Sequence, residues 1–361
     1  MICIAAFIIL LVIWLFNPFL RLIGQKKLAD NISKMFKKSV HCFTRRVTLR
    51  ACDSNFKDEI KNSVLSKLIV RHKKWVKPVS VGIEVSAFVI IVITVWSLLT
   101  VVKSGLALYV YGTCDVRTPD ACALSTAEAC SIDSVGSGNP VVDWFGEWGE
   151  VIGALPARIQ TWNAEEFIPE SSTYYGEFSA TATPEKVAID IFDPGCIICR
   201  RSFVNQKESG FFDNYKTYLI PYVITGETGD KFKNSQVVAE YIEAVRGRQP
   251  ASGEKVSAEW IIAEKIFYDE DENGDTFQEA FNGTAARTYS EAKTKTTIEG
   301  WLKDAGFSDE EIAEISEYAK SEEVAQKLSK NRDLVENQIK TKRIPTMIFD
   351  GKKHEGLYKA S

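Results

Sequence analysis

Two cysteines with two residues between them, Cys196 and Cys199 in "FDPGCIICRR" (192–201), are the residues whose types and spacing could do chemistry. A cysteine is a nucleophile only as its thiolate. A CxxC at the start of a helix sets the first sulfur against free backbone N–H groups and the positive end of the helix dipole, which lowers its pKa. The second cysteine, almost one turn on, can attack a mixed disulfide on the first and release what was bound. The same spacing also serves a structural disulfide or half of a metal site. A zinc ribbon needs a second CxxC, and the chain has none.

Compartment bears on that choice, and charge and hydropathy speak to compartment. Residues 24–82 carry 15 Lys/Arg against 4 Asp/Glu, whereas residues 113–361 carry 27 against 43. Two apolar stretches, 2–24 and 85–102, are long enough to cross a bilayer, the second extended by "KSGLALYVYG". The first has no basic n-region before its apolar run and no small-x-small cleavage site after it, so it reads as a retained anchor rather than a signal peptide. Basic loops stay in the cytoplasm, which puts the segment after the second span outside. The expected organisation is transmembrane helix 1 at 1–24, a basic cytoplasmic loop at 25–82, transmembrane helix 2 at 83–112, an extracytoplasmic Cys- and Trp-bearing region at 113–180, and a folded domain at 181–361. The basic loop is a topology signal in contact with lipid headgroups, and no nucleic-acid motif accompanies it.

Of eight cysteines, five fall outside on this topology: Cys114, Cys122, Cys130, Cys196 and Cys199. Disulfides persist there. The first three, spaced by eight, suit one small structural disulfide with a thiol left over; relay of electrons to the CxxC is the alternative, and no nearby histidine completes a zinc site. Trp144, Trp148 and Trp162 follow, suited to a membrane interface, a core or a docking surface.

The elements that must position the CxxC come next. "KVAIDIFD" (186–193) is a β-rich run bounded by Pro184 and Pro194, and "YKTYLIPYVIT" (215–225) is a second strand. Between them runs a helix that starts at the CxxC. Helical spacing dominates about 235–340, including a capping-box pair, Ser308 and Glu311. "IPTMIFDGKKHEGLY" (344–358) is a hairpin turning at Asp350-Gly351. "DEDENGDTFQEA" (269–280) starts like a calcium loop, with Asp269, Asp271, Asn273 and Gly274, but its twelfth residue is Ala280, with Glu279 one place early; it reads as a solvated acidic loop.

Strand, CxxC helix, strand, helical block and hairpin together resemble the thioredoxin superfamily, and within it the DsbA-like thiol–disulfide oxidoreductases. The match lies in "VAIDIFDPGCIICRR", in "RIPTMIFDGKK" and in Asp190, six residues before Cys196; it covers about 180–361. The resemblance implies an α/β thioredoxin-like fold with a helical insertion, filling the roughly 145 residues between Cys199 and Pro345. It implies a cis Ile344-Pro345 bond beside the active disulfide, with Ile344 and Thr346 offering a platform to an extended substrate. It implies that Asp190 takes the proton of the second cysteine, a role burial would favour by raising its pKa. The redox centre would be the Cys196–Cys199 disulfide itself, with no cofactor and no metal. Partners would be cysteine-containing exported proteins, a membrane redox partner that resets the pair, and the bilayer. The sequence departs from the family in placing Ile197 and Ile198 between the cysteines, where His or Pro is common; Arg200 and Arg201 favour a thiolate and Asp193 opposes it. The sequence runs three residues past the hairpin, so the C-terminal helix that the resemblance implies would lie beyond it or have its place on the sheet taken by another segment.

Three rival functions stand beside this one. A reductase or isomerase would use the same residues in the other direction. A non-enzymatic envelope module would carry Cys196–Cys199 as a static bond. A copper-handling protein is poorly served by one exterior histidine, His354, and no Met-rich segment.

Overall fold

In the computed structural model the described residues are 11, 14, 17, 18, 26–47, 76–117, 129–132, 137–178, 183–226, 229–251, 256–283 and 288–359. The chain divides into two compact units, Met1–Val102 and Lys103–Ser361.

In the first unit, helix α1 (Lys26–Val47) lies in the basic segment. Asn17 Nδ2 donates to the Ala29 carbonyl at 2.8 Å and to Ser33 Oγ at 2.9 Å. The first apolar segment lies outside the described residues except at 11, 14, 17 and 18. Helix α2 (Val76–Tyr111) has 36 residues. At 1.5 Å per residue it is about 54 Å long, well beyond a 30 Å hydrocarbon core. Its stretch Lys77–Tyr111 is, among the described residues, the one helix long and apolar enough to cross a membrane.

From Lys103 on, α2 belongs to the second unit. In the second unit, Ala107, Val110 and Tyr111 pack with Val151 and Ala154 of helix α3 (Pro140–Ile159). Lys103 is buried there and ion-paired with Glu147, which also holds Arg117 at 2.9 Å. A lysine can be buried because its charge is paired.

The second unit is built on a four-stranded sheet. Strand β1 (Cys130–Ser131) lies apart from it. Strand β2 (Lys186–Phe192) is central, and its last five residues are buried, as expected of a strand covered on both faces. β3 (Tyr215–Pro221) pairs with it in parallel, Asp190 opposite Leu219. Parallel neighbours need a crossover; here it is helices α4 (Ile197–Glu208) and α5 (Phe211–Asn214). Two short strands follow, β4 (Thr225–Gly226) and β5 (Gly229–Asp230). The helical block is α6 (Ser235–Ala244), α7 (Ala258–Tyr268), α8 (Phe277–Asn282), α9 (Glu291–Asp304), α10 (Asp309–Tyr318) and α11 (Glu322–Asp333), ending in a π-helical turn, Leu334–Ile339. The chain then returns as β6 (Arg343–Ile344), β7 (Thr346–Phe349) and β8 (Lys352–Glu355). The sheet order is β3-β2-β7-β8, and β6 pairs with β1.

Local rules explain the joints. Ser308 and Glu311 form the capping box that starts α10. The hairpin turns at Asp350 (φ 47°) and Gly351 (φ 75°), the left-handed pair a two-residue turn requires. Tyr215 Oη and Lys186 Nζ both donate to the Asp350 carboxylate, fixing the turn against β2 and β3. The helical block joins the sheet through an apolar core that includes Trp260, Tyr241, Phe203 and Phe267. Trp162 lies in that core, its indole N–H donating to the Ala157 carbonyl at 3.1 Å, so this tryptophan is structural. In the acidic loop, the Asp271 carboxylate accepts the N–H groups of Asn273 and Asp275 and the hydroxyl of Tyr289; Thr276 caps α8. Its oxygens are occupied by the protein, as in a turn.

Candidate functional site at the start of helix α4

β2 ends at Phe192, and four residues later Cys196 stands at the N-cap of α4. A tight turn bridges the gap: Cys196 N–H donates to the Asp193 carbonyl at 3.1 Å, and Arg200 N–H closes the first helical bond on Cys196 O at 3.1 Å. The turn passes so close to the helical block that a Cβ on Gly195 would lie 2.4 Å from Phe232 Cβ. Gln278 of α8 donates to the Gly195 carbonyl at 2.6 Å. Thus the helical block positions the loop that carries the nucleophile.

Asp193 is the bracket of this loop. Its Oδ1 accepts from Gly195 N–H at 2.7 Å and from the Ser235 hydroxyl at the start of α6; its Oδ2 accepts from Ile224 N–H at 2.7 Å. Burial pushes its pKa up to about 6, against the pull of those three donors. Its charge also raises the pKa of Cys199.

Cys199 is a buried thiol facing the sheet from α4. Its Sγ accepts from Asp193 N–H at 3.4 Å. Burial drives its pKa well above the ordinary thiol value, and the nearby carboxylates of Asp193 and Asp190 add to the rise while the Asp193 N–H opposes it. Such a thiol is inert until a base accepts its proton. Asp190, on β2, is buried too, near enough for its charge to act on Cys199, and burial pushes its pKa up to about 6. Its Oδ2 accepts from Gln206 Nε2 at 2.8 Å. Its Oδ1 has no hydrogen-bond partner among the described residues, which leaves a lone pair free to take a proton. Gln206 was not foreseen from the sequence. It stands seven residues after Cys199, two turns along the same helix face, so helical spacing could have found it.

The Ile344-Pro345 peptide bond is cis. The Ile344 carbonyl lies 3.9 Å from Cys196 Sγ. The disulfide on Cys196 leaves no S–H, so this is a contact rather than a hydrogen bond. Thr346, expected beside Ile344 as part of a substrate platform, turns inward: its hydroxyl donates to the Arg343 carbonyl at 2.5 Å and pairs with Thr341 Oγ1 at 2.9 Å. It shapes the loop from within.

One expected pairing is replaced. Cys196 is bonded to Cys130, across 66 residues, and Cys199 is the free thiol. The small loop expected to close within Cys114, Cys122 and Cys130 therefore does not use Cys130. Cys114 is in a disulfide, and Cys122 lies outside the described residues. The physical reason is backbone pairing. Cys130 sits opposite Ile344 in the β1–β6 ladder, Ile132 N–H donates to the Lys342 carbonyl at 3.0 Å, and Ile132 is buried in the core. That brings the Cα atoms of Cys130 and Cys196 to 6.2 Å. Spacing along the chain cannot reveal such a contact.

A βαβ unit with CxxC at the helix start, a helical insertion, and a hairpin entered through a cis-proline next to the first cysteine leave one reading of the topology. The fold is thioredoxin-like, with a DsbA-like helical insertion. Among solved structures, the chain is similar to the catalytic domain of Proteus mirabilis ScsC (13% identity, 58% of this chain and 90% of that one, TM-score 0.33). It is also similar to the MdbA protein, a thiol-disulfide oxidoreductase from Corynebacterium diphtheriae (15%, 55% and 92%, TM-score 0.34). A third is a putative protein-disulfide isomerase from Pseudomonas syringae (13%, 52% and 94%, TM-score 0.35). Neither a protein-family model nor a curated protein sequence matches the chain. The thioredoxin-like unit lacks an imidazole at the CxxC: His354 stacks on Phe349 at 4.2 Å in the hairpin, and burial lowers its pKa. The N-terminus of α4 is placed to stabilise a Cys196 thiolate.

Proposed function

We infer that the protein is a membrane-anchored thiol–disulfide oxidoreductase whose thioredoxin-like domain works outside the cytoplasm on cysteine-containing exported proteins. Cys196 is the attacking sulfur and Cys199 the resolving one. Asp190 accepts the Cys199 proton, and the backbone at Ile344 beside Pro345 receives an extended substrate segment. A membrane redox partner resets the cysteines. The observation that carries this reading is the layered arrangement of Cys196 at the helix start, Cys199 as a buried thiol one turn on, and the Asp190 carboxyl buried with a free oxygen.

The exchange step follows from those positions. A substrate sulfur bonded to Cys196 is displaced when the Cys199 thiolate attacks Cys196 Sγ. The Cys196–Cys199 bond forms, and the substrate sulfur leaves with the electron pair. The proton of Cys199 passes to Asp190. Direction depends on the reduction potential of the pair, so oxidase and reductase share this chemistry.

The test is exchange of the full chain in detergent with a dithiol peptide across a glutathione series. Reversible transfer that is lost in Cys196→Ser supports the reading. Absence of transfer in both the native chain and Cys130→Ser overturns it.

A second reading has one observation behind it. Cys196 is fully buried in a bond to Cys130, as in a static disulfide of a non-enzymatic envelope module. Resistance of that bond to the whole glutathione range, in a chain whose Cys130→Ser form also fails to exchange, favours the module.

A further inference from the structure

We propose that the segment around Cys130 is a resident, covalently held substrate mimic, and that Cys130 is a third redox cysteine whose bond to Cys196 is a mixed disulfide resolved by Cys199. This rests on the oxidoreductase reading above and adds a partner to it: the chain's own segment.

Three observations converge. Cys130 pairs antiparallel with Ile344, the residue before Pro345, so it occupies the backbone to which an extended substrate would bind. It is bonded to Cys196, the sulfur at the helix start. The thiol that could break this bond, Cys199, is unbonded and lies in the first turn of the same helix. A disulfide serving only stability needs neither the ladder position nor a spare thiol beside it. Ile132 adds a side-chain anchor, buried in the core two residues after Cys130.

The step balances without an external oxidant. Cys199 gives its proton to Asp190 and attacks Cys196 Sγ. The Cys130–Cys196 bond breaks, the Cys196–Cys199 bond forms, and Cys130 leaves as a thiolate that takes up a proton. One disulfide and one thiol become another disulfide and another thiol. The β1–β6 pairing is two residues long, so release costs few backbone hydrogen bonds. A segment tethered in the same chain competes at an effective concentration on the order of millimolar. Foreign thiols must outcompete it, so the resident segment selects for substrates that bind the groove well and guards Cys196 against small thiols.

The experiment is peptide mapping without reduction on the full chain in detergent, equilibrated over a glutathione series and acid-quenched. It is paired with the rate of exchange with a dithiol peptide for the native chain and Cys130→Ser. The expected result is that the Cys196 peptide is found linked to Cys130 and also to Cys199, in a ratio that stays constant along the series because the two forms are isomers with the same number of disulfides. Cys199→Ser should keep only the Cys130 link, and Cys130→Ser should exchange at least about ten-fold faster because the tethered competitor is gone. A native-chain map that shows the Cys130 link alone, with no Cys196–Cys199 link at any point of the series, overturns the proposal. Equal exchange rates in the native chain and Cys130→Ser overturn it too. The native-chain map decides the question even where the variant fails to fold. In either case exchange by Cys130→Ser leaves the oxidoreductase reading standing; its absence in both chains removes that reading as well.

Discussion

Cys130 and Ile344 face each other as antiparallel neighbours, although 214 positions separate them in the sequence. One residue of that pair comes from the Cys-bearing region before the domain, the other from the strand that ends just before Pro345. Their pairing sets the reach of the disulfide to Cys196 and turns the remaining cysteine, Cys199, into a buried thiol.

That burial makes Cys199 slow toward outside reagents. Its thiol pKa is raised by desolvation and by Asp193 and Asp190. Maleimide labelling of the native chain at pH 7 should proceed at Cys199 roughly a hundred-fold more slowly than on an unfolded cysteine peptide. Unfolding in denaturant should remove the difference. Labelling as fast as in the peptide would mean that the thiol is not held under the sheet.

Asp190→Asn separates stability from exchange. Burial raises the folded-state pKa of Asp190 to about 6, above the ordinary unfolded value near 3.9. The folded state therefore binds the proton more tightly, and the stability this contributes is present below pH 4 and is lost as pH rises through 6. Above that, the buried charge costs about 2–3 kcal/mol, which the amide does not incur. The variant should be more stable than the native chain at pH 8, by about that amount in denaturant melts, with no gain at pH 4. Its resolving step should nonetheless slow by about a hundred-fold at pH 7 through loss of the proton acceptor. Unchanged exchange would remove Asp190 from the mechanism.

Asp193→Asn should behave in the opposite way. Gly195 N–H, Ile224 N–H and the Ser235 hydroxyl all point at its two oxygens. An amide would turn its NH2 toward at least one of those donors and leave it unsatisfied in the core. The expected loss is about 1–3 kcal/mol in thermal or denaturant melts at neutral pH.

Gly195→Ala tests the close approach of the cysteine loop to the helical block. A methyl there meets Phe232 Cβ at 2.4 Å and Ser235 Oγ at 2.5 Å. Overpacking of this kind costs about 1–3 kcal/mol. The loop must shift, so the fraction of Cys196 linked to Cys130 in non-reducing maps should fall. A variant with native stability and native linkage would show that the loop and block are not in tight contact.

Glu147→Gln addresses the end of α2. Lys103 is buried beside Glu147, which also pairs with Arg117. Removing the carboxylate leaves a buried ammonium without its ion partner, at about 3 kcal/mol. The second unit should lose stability in detergent melts by about that amount. No change in melting would mean that the cluster is solvated.

Much of the site was legible because its signals are local. The CxxC, the strand before it, the Asp350-Gly351 turn and the Ser308–Glu311 cap are decided by residues within a few positions of each other, where backbone geometry and hydrogen bonding dictate the outcome. The apolar run of α2 was visible for the same reason, since composition over one helix suffices. That the end of that helix packs against another helix was not visible. Residues 104–111 carry no charge in sequence, yet Ala107, Val110 and Tyr111 pack with Val151 and Ala154 of α3.

What the sequence by itself determined is the inventory and its local placement: a nucleophilic pair at a helix start, an acid six residues earlier, a proline entering a hairpin. What the tertiary structure alone decided is who meets whom. Cys196 and Cys199 lie three residues apart, but the bond goes to Cys130, because strand pairing with Ile344 brings that sulfur into reach. Thr346 turned inward, since the Arg343 carbonyl and Thr341 hydroxyl stand within hydrogen-bonding distance only once the loop is folded. Each is a contact between segments whose separation along the chain carries no trace of their distance in space.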